Sequence, residues 1–175
     1  MHNAERLPNL LGAAALAITD RALAGIVGAA DISASAAAAV VVLSSSPGLG
    51  VTELGRRVGL SQSAAARMVD SLEAAGLARR TPGTGRLVQV TLTDGGRGTA
   101  SKVLGARDDA LAEVLSGLAD EERASLESLL GKLLGRLYQD VRNAELLCRL
   151  CDRRSCVEGA VCPVGQAERD ESGGA

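Results

Sequence analysis

The chain has 175 residues, enough for one domain with its own hydrophobic core or for a small domain whose extensions pack on a partner, so one compact unit or an intertwined dimer is expected. Hydrophobic residues make up 46% of it but aromatics only 1%, which excludes an aromatic core and leaves Leu, Val and Ala to pack helices closely. A net charge of -2 excludes a chain that is basic throughout, although a local surplus can still create a basic face for nucleic acid.

The opening "MHNAERLPNLLG" has mixed charge and lacks the uninterrupted apolar segment of a signal peptide. The most apolar stretch, "ASAAAAVVVL" at 34–43, is shorter than the roughly 20 residues that span a bilayer. A cytoplasmic protein with no membrane partner is expected. In that reducing compartment clustered cysteines bind metal or do redox chemistry more often than they form structural disulfides.

In chain order, residues 9–27 repeat apolar positions at Leu11, Ala15, Ile18, Ala22 and Ile26, the spacing of a helix with one buried stripe. Residues 34–45 are apolar almost all round and predict a central helix. Pro47, Gly48 and Gly50 end it and lead into a short helix over 52–58, with Thr52 as N-cap and Gly59 closing it. Ser61 caps the next helix, where Ala65, Met68, Val69 and Leu72 share one face and Gln62, Ser63, Ala66 and Arg67 the other. Two short helices joined by the tight turn "VGLS" are a helix-turn-helix, whose second helix can enter a major groove. "LARRT", a "PGTG" turn and "RLVQVTL" then read as a two-stranded hairpin, which makes the unit a winged helix-turn-helix. A helix follows over about 94–115, capped by Thr93 and Asp94, with Val103, Leu104, Leu111, Val114 and Leu115 inward. The last long helix is predicted over about 119–147, with a stripe at Leu126, Leu129, Leu130, Leu133, Leu137 and Val141. Gly131 and Gly135 on it would allow a close helix approach. The fold class is therefore mainly α with a small β-hairpin wing.

The segment "VTELGRRVGLSQSAAARMVDSLEAAGLARRTPGTGRLVQVTLTDGG", residues 51–96, resembles the MarR family of bacterial transcriptional regulators, and the order of helices on either side extends the resemblance to about residues 8–147. The matching pieces are the Thr52-Glu53-Leu54 helix start, "GLSQS" entering the recognition helix, "VDSLEAAGLARR" leaving it and "VTLTDGG" after the wing. The resemblance implies a homodimer with interleaved first and last helices, two winged domains on a pseudo-palindromic DNA operator, and a ligand or redox signal that changes their spacing. It divides the chain up to residue 147 into an N-terminal dimerisation helix at 1–33, the winged domain at 34–96 and further dimerisation helices at 97–147; beyond the family core lie a cysteine segment at 148–165 and a polar tail at 166–175, expected to be disordered. The wing tip "PGTGR" departs from the family in lacking an Asp and keeping only Arg86.

Residues 51–86 hold six arginines (56, 57, 67, 79, 80 and 86) against three acids (Glu53, Asp70 and Glu73), a local surplus of +3. Such a surplus gives phosphate anchoring and salt-dependent affinity. Ser61, Gln62, Ser63 and Arg67 lie in the first turns of the recognition helix, where Gln62 or Arg67 could read base edges, Ser61 having a rival role as cap. Arg56, Arg57 and Arg79 are candidate phosphate contacts, and Arg86 could enter the minor groove from the wing. Arg79 and Arg80 alternate along a strand, so one of them can point away from DNA.

All four cysteines, Cys148, Cys151, Cys156 and Cys162, lie in "CRLCDRRSCVEGAVCP", and the only histidine is His2. The C-x2-C-x4-C-x5-C spacing can wrap one metal centre unaided, with Arg149, Arg153 and Arg154 lowering thiol pKa values. An iron–sulfur cluster fits the terminal Cys-Pro, and the loop is similar in outline to the cluster loop of redox-sensing MerR-type regulators. Zinc would accept four thiolates tetrahedrally, although the glycine that usually follows the second ligand of a zinc knuckle is missing. Disulfide switching without metal is the third chemistry open to them. The cluster is placed slightly ahead because it couples to regulation. The leading expectation is thus a dimeric DNA-binding repressor or other regulator whose cysteine centre senses redox state or metal. Its rivals are a regulator answering a small-molecule effector, with structural zinc, and an iron–sulfur electron carrier. An enzyme is not expected, since no phosphate loop, nucleophile with base or paired carboxylates can be picked out.

Overall fold

A computed structural model describes residues 6–83 and 88–173. Helix α1 spans Arg6–Ala30, longer at both ends than the sequence pattern marks. By length and composition it could cross a membrane, but it lies along α5 (Asp94–Leu115). There Ile26 is fully buried, a Cβ on Gly25 would stand 3.3 Å from the Ala106 carbonyl oxygen, and Arg21 pairs with Glu113.

Helix α2 spans Ala34–Ser45, capped by Ser33, whose hydroxyl accepts from the Ala36 amide at 3.2 Å. Its residues from Ala36 to Leu43 are all buried, as a helix apolar all round requires, and it is the axis of the main core. Helix α3 spans Val51–Val58 and begins one residue before Thr52, so the cap is Gly50 and Thr52 lies in the first turn. Helix α4 spans Gln62–Ala74, with Ser61 as its cap. Ala65, Met68, Val69 and Leu72 turn inward as their spacing predicts. The tight turn between α3 and α4 depends on Gly59, left-handed at φ 78, and on Gly55, where a Cβ would stand 2.7 Å from that of Ala65.

Strands β1 (Ala78–Pro82) and β2 (Val88–Leu92) pair antiparallel with Ala78 opposite Leu92. The stretch before α3 adds a third line to this wing, since the Val90 amide donates to the Leu49 carbonyl at 2.8 Å. Val90 and Leu92 are buried, whereas Val88, on the same face but near the tip, is half exposed. Thr93 then joins wing to helix: its hydroxyl donates to the Gly76 carbonyl at 2.7 Å and accepts from the Gly96 amide at 3.0 Å.

Two expectations fail beyond this point. The last long helix, α6 (Asp120–Val141), stops at Arg142, which is left-handed at φ 48. Asn143 then caps a separate short helix, α7 (Ala144–Leu147), its side-chain oxygen accepting from the Leu146 amide at 3.0 Å. Asn is among the strongest N-caps, so a new start outcompetes continuation there. Nor is the tail from 166 disordered through the described residues, because α9 covers Pro163–Ser172. Pro163 at the first turn and Cys162 as cap start this helix, Val164 is buried beside Tyr138 and Ala144, and Arg142 bonds Glu171 at 2.6 Å. Between them, α8 (Arg153–Val157) is capped by Asp152. The α6 stripe stays exposed, with Leu129 and Leu137 about half accessible, as do Val114 and Leu115 of α5. Beyond the backbone of their own helix, nothing among the described residues lies within 4 Å of where a Cβ on Gly131 or Gly135 would stand.

Candidate nucleic-acid interface and four-cysteine cleft

The charges of the winged domain sort themselves by pairing. Glu53 accepts from Arg56 Nε at 2.8 Å and from Arg57 Nε at 2.7 Å, and Arg56 above all, then Arg57, holds its carboxyl down at about 2. Arg56 and Arg57 also reach Glu145 of α7, at 3.4 Å and 3.7 Å, and Arg57 donates to Ser46 at 3.2 Å. Arg80 bonds Asp70 at 2.8 Å and Glu73 as well, which raises its pKa further. All three acids of the segment are thereby matched with Arg56, Arg57 and Arg80. The surplus expected from the sequence resides on the remaining arginines.

Of these, Arg67 and Arg79 are exposed and make no ion pair among the described residues, while Arg86 lies outside the described residues. Ser61, Gln62 and Ser63 are exposed at the start of α4, together with Arg67 one turn on. Ser61 is occupied as a cap, accepting from the Ala64 amide at 3.4 Å, so its hydroxyl is already engaged. The alternation along β1 resolves as the strand pattern allows: Arg79 points to solvent and Arg80 folds onto α4. Arg56 and Arg57 were candidates for phosphate; their guanidinium groups stand between α3 and α7.

The four cysteines line one cleft of about 370 Å³, together with Ile18, Leu111 and Arg107. All four are free thiols, each partly buried. Cys148 and Cys151 act on one another, as do Cys151 and Cys156, and Cys162 acts on both Cys148 and Cys156. The neighbouring Cys151 holds the Cys148 thiol below the usual cysteine range, and Cys148 in turn pushes Cys151 well above it. Burial, then the neighbouring thiols, push Cys156 up to about 11. Among the described residues no group of three or more Cys, His, Asp or Glu is arranged to hold a metal ion.

Of the arginines expected to stabilise thiolates, Arg153 does act on Cys148, whereas Arg149 donates to the Leu146 carbonyl at 2.7 Å. Arg107 of α5 acts on Cys151, a neighbour that the cysteine spacing could not reveal. Glu145 and Asn143 were also missed. Both sit in what reads as the end of a continuous helix, and nothing in the local pattern marks them.

Helices α3 and α4 with the hairpin behind them define a winged helix-turn-helix protein. Residues 30–87 of it match the sequence profile of the MarR family. The fold is similar to the YusO protein from Bacillus subtilis, at 27% identity and TM-score 0.65, over 75% of this chain and 96% of that one. It is similar to a MarR family protein from Bacillus stearothermophilus, at 28% identity and TM-score 0.69, over 76% and 94% of the two chains. It is also similar to a Mycobacterium tuberculosis MarR family protein in complex with DNA, at 25% identity and TM-score 0.61, over 73% and 96%. No curated protein matches the chain.

Proposed function

We propose that the protein is a dimeric, sequence-specific DNA-binding transcriptional regulator, a repressor where its operator overlaps a promoter, and that its four-cysteine segment senses metal or redox state. The carrying observation is the exposed first turns of α4, where Gln62, Ser63 and Arg67 stand free of the pairing that occupies Arg56, Arg57 and Arg80. Major-groove readers present such side chains from the N-terminal turns of the second helix. A MarR relative solved with DNA supports the same use of the fold. Arg79 supplies phosphate contact from the wing.

The exposed leucines of α6 and of α1 support a dimer, because one chain leaves them in water. For the cysteines, four thiols and no carboxylate lining one cleft suit a thiophilic ion or an iron–sulfur cluster, with the thiols closing around it on loading. Zinc would hold the segment folded; a cluster would add a redox response. The same cleft has room for a small organic effector, lined by Ile18, Leu23 and Leu111.

The test begins with a duplex selected by the protein from a random-sequence library. Arg67→Ala should weaken binding to that duplex by about 1–3 kcal/mol and relax its sequence preference. Selection of no consensus by the wild type, or an unaltered Arg67→Ala variant, would remove the reading. Protein purified without oxygen should contain either one zinc per chain or iron with sulfide, and replacing any one cysteine by serine should lower that content. Full metal content in all four serine variants would rule out the centre.

A further inference from the structure

We infer that the four-cysteine centre acts on the DNA-reading helices through α7, with Glu145 and Asn143 as the latch between them; this rests on the proposed reading of that centre as a sensor. The cysteine segment touches two separate cores. Leu150, between the first two cysteines, packs against the main core built on α2. Leu147, Cys148 and Cys162 pack instead with Tyr138, Ala144 and Val164 at the end of α6. The segment is therefore fastened at once to the winged domain and to the long helix beyond it.

The fastening to α3 is specific. Asn143 donates from its side-chain nitrogen to the Arg56 carbonyl at 3.2 Å and accepts from the Arg56 guanidinium at 3.3 Å. Glu145 takes both Arg56 and Arg57, at 3.4 Å and 3.7 Å, and its side chain is only 22% exposed, so water screens these pairs less than on an open surface. Leu146 presses on the turn itself, its Cδ1 2.9 Å from where a Gly59 Cβ would be. Glu145, Arg57, Cys148, Cys151 and Arg153 all line one small cleft against the end of α2.

Glu145 and Cys148 are less than one helical turn apart, so movement of Cys148 during loading is carried to Glu145 with little slack. From Arg56 and Arg57 it passes along α3. The close Gly55–Ala65 approach then passes it to α4, because packed helices shift as units. The thiols have to move, since no group of three or more ligating side chains among the described residues is yet arranged to hold a metal ion.

The experiment uses the full chain and the duplex it selects, and compares protein stripped by chelation with protein loaded with zinc(II), or, in a second arm, reconstituted with iron and sulfide. Wild-type affinity should differ at least about fivefold between loaded and stripped states in one arm, the lower end of ordinary allosteric coupling. In Glu145→Gln, and independently in Asn143→Ala, that ratio should fall to within about twofold of unity, while bound metal per chain stays at the wild-type value. If both variants keep the wild-type ratio, the latch is wrong and the signal travels another way. If they lose metal, the two residues scaffold the centre and the inference fails. If the wild type shows no difference in either arm, the sensor reading fails and the latch with it.

Discussion

Glu53 lies at the centre of the charge pattern on α3. Its carboxyl is held at about 2 by Arg56 and Arg57, below the ordinary value of 4.5, so the unfolded chain takes up the proton first as pH falls. The stability it contributes is complete above pH 4.5 and is lost as pH falls through about 2. In urea unfolding, the gap between wild type and Glu53→Gln should therefore hold steady from neutral pH to about 5 and narrow below that; a gap that widened in acid would contradict the pairing. Arg79 presents the opposite case, a cation with no acid beside it among the described residues. Under the proposed function, Arg79→Ala should lower the salt slope of DNA binding by about 1 and leave the preferred sequence as it is. A shifted sequence preference would mean that Arg79 touches bases.

Among the elements, the junction of hairpin and α5 is the tightest. A Cβ on Gly96 would stand 1.9 Å from the Leu77 carbonyl oxygen, and because that oxygen is backbone no side chain can swing away to make room. Gly96→Ala would gain about 1 kcal/mol in helix propensity. Overpacking costs about 1–3 kcal/mol and more where backbone must move. The second effect should win, with a fall in thermal midpoint of several degrees; an equal or higher midpoint would show that the junction yields. The break between α6 and α7 is the element that matters most for regulation, since a helix continuing through Arg142 would carry Glu145 away from α3.

For the molecule as a whole, the apolar surface left uncovered is the dominant fact. Leu129, Leu130, Leu133 and Leu137 of α6 are 56%, 45%, 43% and 48% exposed, and Leu7, Leu10, Leu11 and Leu16 extend the pattern on α1. Burying apolar area stabilises by roughly 25 cal/mol per Å², so a second copy covering these stripes gains strongly. Leu133→Asp should shift the proposed dimer towards monomer in sedimentation at micromolar concentration without unfolding the winged domain, whose core is separate. A wild-type chain that sediments as a monomer would refute the dimer.

The winged unit was legible in the sequence because its elements are set by local rules: a period of 3.6 at Ala65, Met68, Val69 and Leu72, alternation at Val90 and Leu92, caps at Ser61 and Thr93. The surplus of arginine over acid was legible too, but not its allocation. Glu53 reaches Arg56 and Arg57 within its own helix, but that Glu145 also engages them from far along the chain, and that the strand turns Arg80 towards α4, no local pattern shows. The cysteine spacing alone marked a candidate centre, while Arg107 beside Cys151 and the docking of Leu150 on the main core arise from packing between distant segments. The tail misled for a related reason: "QAERDESGGA" is polar enough to stay unfolded by itself, and it is helical through Ser172 because Val164 just before it is buried against Tyr138 and Glu171 meets Arg142. Local pattern determined which segments fold and which face each buries; contacts between residues far apart in sequence, whose free energy no local window contains, decided which charges remain free and what the cysteines are joined to.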